Sequence, residues 1–175
     1  MPDGIKKLGN MCFGNCKAFT EITIPISVIS ADGSFSGSGL TKVTIEDGRT
    51  TIPESMFSGM SSLVEIEFPD SVTEIGCNAF HGCKSLTSIT LPKNLRKIDH
   101  YAFAYCQGLT EITIPKTIEW CDSSIFSDTN ITKAVIEESM TKIPALLFSD
   151  SPNLQEVIIP DSVTEIGEKA FAGCG

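Results

Sequence analysis

Val72-Thr-Glu-Ile-Gly-Cys-Asn-Ala-Phe80-His-Gly-Cys83 followed by Leu86-Thr-Ser-Ile-Thr-Leu-Pro92 holds, in one short stretch, a pattern that the chain repeats from end to end. Its second half reads apolar, two variable, apolar, one variable, apolar, proline. The same form returns in Phe19-Thr-Glu-Ile-Thr-Ile-Pro25, Leu40-Thr-Lys-Val-Thr-Ile-Glu46 and Leu63-Val-Glu-Ile-Glu-Phe-Pro69. It returns again in Leu109-Thr-Glu-Ile-Thr-Ile-Pro115, Ile131-Thr-Lys-Ala-Val-Ile-Glu137 and Leu154-Gln-Glu-Val-Ile-Ile-Pro160. Successive starts are 21, 23, 23, 23, 22 and 23 residues apart, so the unit is a repeat and not a coincidence of composition.

Two further elements keep that period. One is a short apolar pair: Val72 and Ile75, Leu95 and Ile98, Met140 and Ile143, Val163 and Ile166. The other is a phenylalanine, at Phe13, Phe35, Phe57, Phe80, Phe103, Phe126, Phe148 and Phe171, in several repeats preceded by Ala and followed by Gly-Cys.

A unit of this size cannot bury a core alone; stacked on its neighbours it buries a continuous one. The apolar-x-apolar triplets alternate with period two, which predicts strands with one buried face. Pro has no N–H for a ladder and ends each strand, and the Gly-rich stretch after Phe turns the chain back. The pattern predicts parallel strands near 22–24, 43–45, 66–68, 89–91, 112–114, 134–136 and 157–159 in one sheet, on the order of 30 Å long at about 4.8 Å per strand. Ile24, Ile45, Phe68, Leu91, Ile114, Ile136 and Ile159 form one expected buried file, and the eight phenylalanines another.

These residues resemble the BspA-like class of leucine-rich repeats, whose motif is close to L-x-x-I-x-I-P-x-x-V-T-x-I-G-x-x-A-F-x-G-C-x-x. The resemblance spans Ile5 to Cys174. It implies a right-handed leucine-rich-repeat superhelix, with a parallel sheet on the concave side and short turns or helical turns on the convex side. It also implies an extracellular or cell-surface setting and a role in binding molecules of host or neighbouring cells, with no particular ligand.

The expected organisation is a single solenoid over residues 1–175, of about seven repeats. Residues 26–39 are short by two and rich in Gly and Ser, which reads as an irregular convex segment or as a degenerate repeat that still packs Phe35. The chain starts inside a repeat and stops where another strand would begin. Solenoids need polar caps, so an uncapped excerpt of a longer array, prone to end-to-end self-association, is expected. Met1-Pro2-Asp3-Gly4 shows neither the basic start nor the apolar run of a signal peptide. No apolar run approaches the roughly 18 residues that a membrane span needs.

A net charge of −9 argues against nucleic acid, which is held by clustered Lys and Arg, and against anionic membranes. Seven cysteines are many for the length. Cys16, Cys83, Cys106 and Cys174 fall three residues after the repeat Phe, where other repeats place Met60, Thr129 and Ser151. That tolerance describes a core position with buried free thiols; a bond between Cys83 and Cys106 is the alternative. Cys77 and His100 stand one repeat apart, and His81 lies near Cys83. Such a pair can make a nucleophile or bind zinc, but no third orienting residue recurs. No catalytic residue, metal or cofactor is therefore assigned.

The leading functional expectation is a non-catalytic recognition module for a protein or glycan. The alternatives are a structural spacer or self-associating array, and a Cys–His enzyme. On each strand, residues between the buried ones should project outward as a grid of hydroxyls and carboxylates. Glu65, Glu67, Thr90, Glu111 and Thr113, on the middle strands, are the expected binding residues. Trp120, the only Trp, takes a position held in sister repeats by Glu74, Lys97, Lys142 and Glu165. It is either a contact residue or covered by the neighbouring lysines.

Overall fold

The computed structural model describes residues 1–175. It is built of strands and turns with no helix. The long triplets make one set of strands: β1 (Glu21–Ile24), β2 (Lys42–Ile45), β4 (Glu65–Glu67), β7 (Glu111–Ile114), β9 (Lys133–Ile136) and β11 (Glu156–Ile158). The short apolar pairs make a second set: β3 (Thr51–Ile52), β5 (Glu74–Ile75), β6 (Lys97–Ile98), β8 (Trp120–Cys121), β10 (Lys142–Ile143) and β12 (Glu165–Ile166). Every pairing is parallel and joins equivalent residues one turn apart, as in Ile22 with Val43 and Ile75 with Ile98. The chain is a β-solenoid with two ladders running along it. Alternation predicts the first ladder; the second is an addition, since the short pairs keep the repeat period but lack the apolar-x-apolar alternation of a strand.

Neither ladder is continuous. The first splits into β1-β2-β4 and β7-β9-β11, and the second into β3-β5-β6-β8 and β10-β12. This corrects the expectation of one seven-stranded sheet, because no strand forms at 89–91. No backbone hydrogen bond joins residues 87–91 to the turn on either side. Phe68, where other turns carry Ile24, Ile45, Ile114 or Ile136, is the local difference. Its larger ring stands edge-on to Phe80, with centroids 5.7 Å apart, and remains half-buried. β4 ends before it, and the next turn stands off.

The core is one file-packed cluster. Phe35, Phe57, Phe80, Phe103, Phe126 and Phe148 are fully buried, and consecutive rings stack at 5.2–6.2 Å with near-parallel planes. Phe13 and Phe171 continue the stack at 5.3 and 5.7 Å but are only partly covered. The aliphatic file holds for Ile24, Ile45, Leu91, Ile114 and Ile136. It fails at Ile159, which is 41% exposed because β11 ends at Ile158 and pairs on one side only.

Each turn reverses at two left-handed residues that flank its Phe symmetrically: Gly33 and Gly37 about Phe35, Asn78 and Gly82 about Phe80, Tyr101 and Tyr105 about Phe103, Ser124 and Asp128 about Phe126. The segment 26–39 keeps this geometry and buries Phe35, Val28 and Ala31, so it packs as a degenerate repeat. Its departure is repaired by Arg49, which occupies the core position of Val72 and Leu95. Its Nη2 donates to the Pro25 and Val28 carbonyls, both at 2.6 Å. Burying a guanidinium is tolerable only with such partners; burial still pulls its pKa down.

Candidate functional site

The interruption at 87–91 opens a cleft of about 540 Å³ between β4 and the following turn. Glu65, Glu67 and Asp70 line one wall, and Ser88, Thr90 and Lys93 the other, with Ile66, Phe68 and Leu91 at the floor. The cleft is polar-rimmed, and the backbone groups of 87–91 have no protein partner. Unpaired N–H and C=O groups at a sheet break are sites where another chain or a polar ligand can bond.

Three of the expected binding residues, Glu65, Glu67 and Thr90, therefore come together in this cleft. Lys42 partly neutralises the two carboxylates, at 3.2 Å from Glu65 and 2.7 Å from Glu67. The hydrogen bond with Glu67, ahead of that with Glu65, raises the Lys42 pKa, and the same contact with Lys42 lowers that of Glu67. A Lys93–Asp70 ion pair spans the cleft's far end. Glu111 and Thr113 are exposed on β7, in the other half of the split ladder, so the expected even grid across the middle strands is not what these residues form. Trp120 lies on β8 in the second ladder. It is 45% exposed, and Lys97 Nζ covers its ring from 5.0 Å. Of the neighbouring lysines, Lys142 instead pairs with Glu165 at 2.6 Å.

The cysteines are all free thiols. Cys83 and Cys106 are buried as expected; Cys16 is exposed and Cys174 half-buried, since the repeats about them are less covered. His100 Nδ1 lies 3.0 Å from both the hydroxyl and the carbonyl oxygen of Ser123 in the next turn. Burial, ahead of the charges of Glu54, Asp99 and Asp122, raises the pKa of Cys77, the opposite of what an activated nucleophile needs. No three His, Cys, Asp or Glu side chains converge in the geometry of a metal site.

A family model described as a BspA type leucine rich repeat region matches residues 1–83 and 73–175, which together span the chain. The chain belongs to the BspA-type leucine-rich-repeat family. Among solved structures, a T. pallidum leucine-rich repeat protein is similar to it at 25% identity and a TM-score of 0.67, covering 88% of this chain and 69% of that one. A leucine rich cell surface protein of Faecalibacterium prausnitzii A2-165 is similar at 22% identity and a TM-score of 0.62, covering 91% of this chain. The BspA-type chain spans 52% of the length of that protein. No curated protein matches it. No helix of this BspA-type solenoid is long and apolar enough to cross a membrane.

The sequence reading missed a further feature, on the turn face. His81, Tyr101, Tyr105, Ser124, Ser127, Asp128 and Asp150 line a pocket of about 430 Å³. The signal was available in Tyr105, which stands two residues after the repeat Phe. There every other BspA-type turn of this chain has Gly, Asn or Asp.

Proposed function

We propose that this chain is a non-catalytic recognition module of a surface or secreted protein, binding protein or glycan partners of neighbouring or host cells through the solenoid surface. One observation carries the reading: the cleft between β4 and 88–93, where unpaired backbone groups, Glu65, Glu67 and Thr90 face a common space. The cell-surface description of the F. prausnitzii protein supports the location. The walls are fixed by stacked turns, so a ligand pays no ordering cost on this side.

Saturable binding of the purified chain on arrays of glycans and extracellular proteins is the test. Glu65→Lys with Glu67→Lys should leave folding intact and weaken a genuine ligand at least about tenfold, more at low salt. Unchanged affinity there, with loss in Trp120→Ala, would move the binding surface to the second ladder.

A further inference from the structure

The turn-face pocket lies where this chain departs from its own repeat two residues after the Phe. Left-handed backbone suits Gly and Asn, and a bulky aromatic there is strained. Two residues after the Phe, the eight turns read Asn15, Gly37, Gly59, Gly82, Tyr105, Asp128, Asp150 and Gly173. Tyr105 is the exception, at φ 60°, and Tyr101, four residues before it, is also left-handed at φ 55°. They are the chain's only two tyrosines, and both are exposed.

Because equivalent positions stack one turn apart, the side chains at these positions converge on one surface. Five of the seven lining residues, Tyr101, Tyr105, Ser124, Asp128 and Asp150, are left-handed. His81 brings its ring to 5.1 Å from that of Tyr105. The buried Ser124 hydroxyl donates to Asp150 Oδ2 at 2.8 Å and orients that carboxylate. Tyr105 and Asp128 line the same pocket, and the charge of Asp128 pushes the Tyr105 phenol up. No Lys or Arg lines the pocket, so its two carboxylates face solvent without a cationic neighbour in the lining.

Aromatic faces attract cations through their quadrupole, and carboxylates beside them add charge and hydrogen-bond acceptors. We propose that this pocket is a second recognition site, separate from the β4 cleft, that takes the guanidinium or ammonium group of a basic side chain on a protein partner, between the two tyrosines and the Asp128–Asp150 carboxylates. The proposal deepens the recognition reading by naming the partner chemistry, but uses none of the cleft residues.

With only two tyrosines, ring-labelled protein gives two assignable sets of NMR signals. An arginine–glycine peptide should shift both saturably, and the isosteric citrulline–glycine peptide should not. Asp128→Asn with Asp150→Asn should weaken the arginine peptide about tenfold or more, as added salt should. Tyr105→Asn, which restores a residue type the position already carries, should stay folded and abolish the effect on Tyr101. Glu65→Lys with Glu67→Lys should leave the shifts unchanged; loss in that variant would assign the binding to the cleft and overturn the proposal. Equal shifts with citrulline, or shifts with methyl glycosides and none with arginine, would overturn it as well.

Discussion

The Cys106 thiol donates to the Phe80 carbonyl of the preceding turn across 3.1 Å, and the Cys83 thiol does the same to Phe57 at 3.2 Å. A core site that needs a small group with a weak donor explains why Cys recurs three residues after the Phe. Burial raises the Cys83 pKa well above its ordinary value. Cys12 and Cys16 are exposed. A thiol reagent should therefore label Cys12 and Cys16 at once and reach Cys83 and Cys106 only on unfolding. Labelling of Cys106 in the native protein at the rate of Cys12 would show the stacking register to be wrong.

Cys121 replaces the Ile of sister turns, and burial pushes its thiol up to about 12 from 9.0. The neutral form is thus favoured in the folded state. Below about pH 9 both states hold the proton and stability is unaffected. Between about pH 9 and 12 the unfolded chain releases it while the folded chain does not, so stability falls by up to about 1.4 kcal/mol per pH unit. Denaturant titrations over that range should show this slope reduced in Cys121→Ile, which sister turns accommodate. An unchanged slope would assign the alkaline loss to other groups.

Phe103 stacks on Phe80 at 5.2 Å and on Phe126 at 5.8 Å and is fully buried. Removing it deletes two stacked neighbours and leaves a cavity that rigid turns cannot close. Phe103→Ala should cost about 3–5 kcal/mol in chemical denaturation. Phe13→Ala should cost distinctly less, because Phe13 is partly exposed. Equal losses would contradict a file whose middle is more deeply buried than Phe13.

Phe68 marks the break in the first ladder. If its ring volume holds the next turn away, Phe68→Ile should let residues 88–91 pair with β4. Hydrogen exchange at the Ser88 amide, the equivalent of the Lys42 and Glu65 amides that donate to the preceding turn, and at the Thr90 amide two residues on, should then slow, and the cleft should narrow. Exchange as fast as in the parent protein would place the cause of the break in the 87–91 segment itself.

The amino-acid sequence by itself determined the period, the parallel stacking, the phenylalanine file and the burial of Ile24, Ile45, Ile114 and Ile136. Each of these follows from a pattern local to one turn and copied in the next. It also singled out Glu65, Glu67 and Thr90, because outward positions alternate with buried ones. Only the tertiary structure decided that those three line a cleft while Glu111 and Thr113 stand beyond the break, and that Trp120 sits on another ladder under Lys97. It likewise decided that Arg49 bonds the Pro25 and Val28 carbonyls, and that Tyr105 meets Asp128 and Asp150. The reason is physical: whether a ladder closes, or a pocket opens, depends on side-chain volumes and charges from turns about 23 residues apart acting together, and no single turn carries that information.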